Sequence, residues 1–173
     1  MKNQTFLKNI ILLLGISLVL LQCTTKPVFP NEPHIEFVSI SKNHVKVGDT
    51  LWVNLSFEDG DGNLGKDESL SANCNSVCEY ASDSSCFLDP FYGAFLIDMR
   101  DSCFVFHDLP NFEPNGNIKA VSGTLLLNIP PIFCKIGNCT TCTEDTLVYK
   151  IIVRDVEGNW SNTVFTDTIY IDC

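Results

Sequence analysis

L-W-V-N-L-S-F-E-D-G-D-G-N-L-G, residues 51–65, is the stretch on which the fold turns. Leu51, Val53, Leu55 and Phe57 share one face of its first half, and Trp52, Asn54 and Ser56 share the other. A repeat of two sets successive side chains on opposite sides of a strand, so residues 50–57 read as a half-buried β-strand. The strand runs straight into an acidic loop, residues 57–65, in which Asp59, Asp61 and Asn63 alternate with glycines.

The same alternation returns near the C-terminus. In T-L-V-Y-K-I-I-V-R-D, residues 146–155, Leu147, Tyr149, Ile151 and Val153 alternate with Val148, Lys150, Ile152 and Arg154. A smaller loop, Asp155-Val156-Glu157-Gly158-Asn159, follows it. Further strands are expected at 34–41, 91–99, 103–107, 120–129 and 163–172, with turns at Lys42-Asn43-His44 and Arg100-Asp101-Ser102. No helical period survives outside the leader. Six to eight strands separated by turns predict an all-β fold, an antiparallel β-sandwich. The disulfide-and-Trp signature of antibody domains is not recognisable, so the pattern fixes architecture only.

Before the domain comes a leader. Lys2 and Lys8 form a basic start, and residues 10–21, I-I-L-L-L-G-I-S-L-V-L-L, form an apolar run. That run has the length of a signal peptide and is short for a membrane span. It ends at Cys23 and resembles a bacterial lipoprotein signal, which implies cleavage after residue 22 and lipidation of Cys23. Leu20 and Leu21 suit that pattern, whereas Gln22 stands where a small residue is usual. The division that follows is a signal helix at 1–22, a Pro-rich tether at 23–33 and the sandwich at 34–173. Cys-rich insertions lie at about 66–90 and 132–145.

Removing Lys2 and Lys8 from the 11 basic residues leaves 9 against 21 acidic ones, a net charge of −12. An acidic body argues against nucleic acid or anionic lipid as partner. Of the nine cysteines, Cys23 is assigned to the lipid, leaving Cys74, Cys78, Cys86, Cys103, Cys134, Cys139, Cys142 and Cys173. An even set in an exported chain reads as disulfides, and four bridges allow 105 pairings among which sequence does not choose. Zinc at Cys74/Cys78 and Cys139/Cys142 is the lesser alternative.

Asp59-x-Asp61-x-Asn63 has the spacing of the first half of a calcium loop, because hard cations gather carboxylate, amide and carbonyl oxygens. It departs from an EF-hand, since Leu64 occupies the position that needs Gly and no helix flanks it. If strands 50–57 and 146–155 run the same way, Asp155 and Asn159 join Asp59, Asp61 and Asn63 at one end of the sandwich. The alternative is that Asp, Asn and Gly simply build tight turns here. His34, His44 and His107 sit in no catalytic spacing, and G-x-S-x-G and H-E-x-x-H are absent from the sequence.

Three pieces together, V-x-V-G-D-T-L at 45–51, F-x-D-G-D-G-N-L-G at 57–65 and I-V-R-D-V-E-G-N-W-S-N-T at 152–163, resemble uncharacterised Bacteroidetes lipoproteins with Ig-like domains. The resemblance implies an Ig-like sandwich and a lipid anchor in the cell envelope, at the outer membrane, with the periplasmic and surface faces both open. It brings no activity with it, and the Cys-rich middle departs from the simpler members. The expected function is a non-catalytic binding or scaffolding module acting on an envelope protein or glycan, with calcium as a candidate structural ion. The alternative is carbohydrate recognition through Trp52, Phe91, Tyr92 and Trp160.

Overall fold

A computed structural model describes residues 28–65, 93–109, 112, 119–135 and 143–173. The leader, Cys23 and the insertion expected at about 66–90 lie outside the described residues, as do Phe91, Tyr92, Cys139 and Cys142. Among the described residues there are ten strands and no helix. They are β1 (His34–Ile40), β2 (His44–Lys46), β3 (Leu51–Asp59), β4 (Gly93–Asp98), β5 (Phe104–His107), β6 (Val121–Ile129), β7 (Glu144–Leu147), β8 (Tyr149–Arg154), β9 (Val164–Phe165) and β10 (Ile169–Asp172).

One sheet has the order β1-β3-β6, all antiparallel. Two more have the orders β2-β10-β7 and β5-β4-β8-β9. Only Val148 separates β7 from β8, so these two sheets run on through a single strand and form one layer. The register explains the break. Lys150 opposes Phe165 and Leu147 opposes Ile169, so the returning strand carries one extra residue between them. That is the arithmetic of a β-bulge. Thr166 closes it: its main-chain N donates to the Tyr149 carbonyl at 3.0 Å, and its Oγ1 accepts from Tyr149 N at 3.0 Å.

The two layers pack as a sandwich around one apolar core. Leu51, Val53, Leu55 and Phe57 of β3 are buried, and Trp52 and Glu58 on the other face are exposed. Opposite them lie Tyr149, Ile151 and Val153 of β8, with Ala94 and Leu96 of β4. Each fully buried Leu or Ile side chain contributes roughly 2 kcal/mol of hydrophobic stabilisation.

The sequence reading and the structure differ in three places. The expected turn at His44 is the start of β2, a short strand that pairs parallel to β10. The final strand expected at 163–172 is split by the bulge. The second Cys-rich insertion is shorter than 132–145, because Glu144 and Asp145 already belong to β7.

Cys134 bonds to Cys173 with Cα atoms 6.0 Å apart, tying the last residue of the chain to the segment that follows β6. Cys103 is disulfide-bonded as well. The Cys134–Cys173 bond closes a loop with a sequence separation of 39. In the chain-entropy account a loop of that length is worth about 4 kcal/mol. Replacing both cysteines by serine is expected to lower unfolding stability by roughly 2–4 kcal/mol, read as an earlier urea midpoint with an unchanged slope.

Candidate cation site

The buried row of β3 does not stop at Phe57. Two residues further along the same face stands Asp59, the last residue of the strand, fully buried. The buried row of β8 continues in the same way, from Tyr149 through Ile151 and Val153 to Asp155, also fully buried. Two apolar stripes thus each end on a carboxylate. The loops that follow them meet: Val156 N donates to the Asn63 carbonyl at 3.2 Å. Strands 50–57 and 146–155 therefore deliver their loops to one end, as their shared direction requires.

Local chemistry shapes the corner. Asn63 N donates to Asp59 Oδ2 at 2.9 Å, and Leu64 is buried, pinning the loop back onto the core. Gly62 has φ +73°, a left-handed conformation that side chains disfavour. Gly60 is needed for a different reason. A Cβ there would stand 2.3 Å from the Phe29 carbonyl oxygen and 2.4 Å from that of Pro30. Gly60 N donates to the Pro30 carbonyl at 2.8 Å. The described end of the tether is thus seated on the loop, between Asp59 and Asp61 in sequence.

The five expected ligand residues divide into two groups. Asp155 and Asn159 are engaged with each other: Asn159 N donates to Asp155 Oδ1 and Asn159 Nδ2 to Asp155 Oδ2, both at 2.8 Å. This is the turn-building role of Asp and Asn. Asp59, Asp61 and Asn63 differ. Asp59 Oδ1, both carboxylate oxygens of Asp61 and Asn63 Oδ1 are shielded from water and have no hydrogen-bond partner among the described residues. All four are acceptors. Burial, followed by the negative charge of Asp61 and then that of Asp155, pushes the Asp59 carboxyl up to about 6, against the pull of the Asn63 N–H. Among the described residues no three His, Cys, Asp or Glu side chains already stand in metal-binding geometry. A shell here would therefore combine carboxylates with amide and main-chain oxygens.

The far end of the sandwich handles buried acid in another way. Asp98 continues the buried row Ala94–Leu96 of β4. Arg100 grips it through Nε to Oδ1 at 3.0 Å and Nη2 to Oδ2 at 2.7 Å, and reaches Asp145 at 2.7 Å. Lys135 adds Asp98 at 2.8 Å and also bonds Asp101. Burial alone would raise Asp98, but the hydrogen bonds from Arg100 and Lys135 hold it below its usual range. Asp145 is likewise held low, chiefly by the main-chain N–H groups of Lys135 and Thr146 and by Arg100. Asp59, Asp61 and Asp155 make no ion pair with a Lys, Arg or His among the described residues.

Sequence reading missed two groups. One is this Arg100 cluster, whose signal was an Asp at an inward strand position. The other is Asn162, whose side chain accepts from Ile35 N and donates to Ile35 O, each at 2.8 Å. Asn162 thereby stands in for a neighbouring strand along β1. Of the expected aromatic platform, Trp52 lies on the outer face of β3 and Trp160 bridges Arg154 on the other layer, so they share no face. His34, His44 and His107 sit on three different strands.

No protein-family model, no curated protein and no solved structure matches the chain.

The two acidic ends titrate with opposite signs. Between pH 3.8 and about 6 the folded state keeps a proton on Asp59 that the unfolded chain has released, so stability falls as pH rises through that window. The size is on the order of 3 kcal/mol. Asp98 and Asp145 stabilise above 3.8, and their contribution is lost as pH falls below it. In chelator, thermal melting is therefore expected to peak at about pH 4–5 and decline on both sides. A midpoint that climbs steadily from pH 4 to 7 contradicts this assignment.

Proposed function

We propose that the chain is a lipid-anchored module of the cell envelope, carried on an Ig-like sandwich, that binds or scaffolds without catalysis. The observation that carries the Ig-like reading is the change of layer at the first edge. β1 pairs antiparallel with β3 in one layer, and β2, four residues on, pairs parallel with β10 in the other. With β6 beside β3, and β4 and β5 beyond β8, the order corresponds to immunoglobulin strands A, B and E against G, F, C and C′. Export is supported by the Cys134–Cys173 bond, since such bonds persist in oxidising compartments.

In this reading the tether carries the domain by its acidic corner. Residues 28–33 reach the sandwich at Gly60, so an anchor at Cys23 holds that end toward the membrane. The opposite end, with the Arg100 cluster, points away.

Carbohydrate recognition is the second reading, and one cluster favours it. On the outer face of the β4–β8 layer, Phe95 touches Phe104, Phe106 and Trp160 with ring centroids 5.8, 5.2 and 5.5 Å away. Trp160 is half exposed and Arg154 lies over its ring at 5.1 Å. Such a face offers aromatic surface on which sugar rings stack.

Metabolic labelling with a palmitate analogue tests the anchor. The wild-type chain is expected to take up label and fractionate with membranes, and Cys23→Ala to lose both. Equal labelling of the two chains would rule the anchor out.

A further inference from the structure

We propose that Asp59, Asp61 and Asn63 bind a calcium ion at the corner where the tether meets the sandwich. The inference stands whether or not Cys23 is lipidated.

Four acceptor oxygens from three side chains of one loop are withdrawn from water, and none of them meets a donor among the described residues. An unsatisfied buried acceptor costs about 1–3 kcal/mol, and more when it is charged. Asp59 is fully buried, and its free Oδ1 belongs to a carboxyl that feels both Asp61 and Asp155. Two carboxylates facing each other are joined only by a proton or a cation. The far end of the same domain supplies Arg100 and Lys135 to its buried acids, whereas this end has no basic partner for Asp59 or Asp61 among the described residues. A cation from solution fills that role.

The donor set selects the ion. Every free atom is an oxygen, which excludes soft thiolate chemistry and suits a hard cation. Two carboxylates and an amide on an irregular loop match calcium, which accepts six to eight oxygens in loose geometry. Magnesium asks for a near-octahedral shell and keeps its waters. Asp155 is not required as a ligand, because each of its oxygens already accepts from Asn159. It contributes negative charge. Water and main-chain carbonyls complete the shell, and those of Phe29 and Pro30 approach the corner at Gly60. The bound ion would then fix the tether against the domain.

The test uses the full exported chain, purified in detergent, stripped with chelator and dialysed. Thermal melting is followed with calcium chloride added to about 1 mM. The midpoint is expected to rise by roughly 5 °C or more, as for any ligand that binds only the folded state. Asp61→Asn, at a half-buried position, is expected to melt cooperatively in chelator and to lose the calcium response. Asp59→Asn keeps the acceptor for Asn63 N and is expected to behave alike; should it fail to fold, Asp61→Asn still decides. No rise in the wild-type chain overturns the proposal, leaving a shared proton between Asp59 and Asp61. An undiminished rise in Asp61→Asn overturns the site, and an equal response to magnesium overturns the choice of ion.

Discussion

The constraint on which this domain depends is the face-to-face packing of two inward rows, Leu51 to Phe57 on β3 and Tyr149 to Val153 on β8. A strand presents alternate residues to one side, so a slip of one position would turn every core residue outward. Both rows are long enough to forbid that slip, and the rest of the sandwich assembles on them. β1 and β6 pair with β3, and β4 and the returning C-terminal strands pair with the β7–β8 strand. Because the rows are fixed, so is what lies past their ends. Asp59 and Asp155 are not loop residues that happen to be near each other. They occupy the next inward positions of core rows, and the packing leaves them no other place to point.

Buried acids need compensation, and the two ends of the sandwich obtain it differently. At the Asp98 end compensation is intramolecular, a bidentate arginine and a lysine locked around three carboxylates. That cluster sits beside Cys134, so the electrostatic and covalent ties to the C-terminus reinforce each other. At the Asp59 end the carboxylates repel, and among the described residues the donors to them are main-chain N–H groups and the Asn159 amide. The first end neutralises its acids with side-chain cations, whereas the second leaves four acceptor oxygens without a partner among the described residues. Residues 28–30 are seated on that second end, where Gly60 N donates to the Pro30 carbonyl.

Much of this was legible in the residues, for identifiable reasons. Period-two alternation gave β1, β3 and the β7–β8 strand, because each has one more buried and one wetter face. Convergence of the two acidic loops followed from strand direction. Other features were hidden because they depend on contacts distant in sequence. β2 is three residues long, and its only argument for being a strand is β10, more than 120 positions away. The bulge at Thr166 leaves no pattern beyond a threonine. Asn162 reads as a turn residue until Ile35 is placed beside it. The division of the five acidic-loop residues into a self-satisfied pair and a trio with four unpartnered oxygens was invisible, since both loops open on Asp and carry Asn four residues later. Disulfide pairing could not be chosen from eight cysteines, and the Cys134–Cys173 bond becomes obvious only when β10 ends beside the segment after β6.

The central claim is that Asp59 is a core-row carboxylate held among like charges, with no cationic side chain paired to it among the described residues. Carboxyl-carbon NMR titration of Asp59 in chelator measures this directly. The account predicts a midpoint near pH 6, moving below the ordinary aspartate range once calcium is present. An unshifted midpoint, close to 3.8 in chelator and unmoved by calcium, would contradict it.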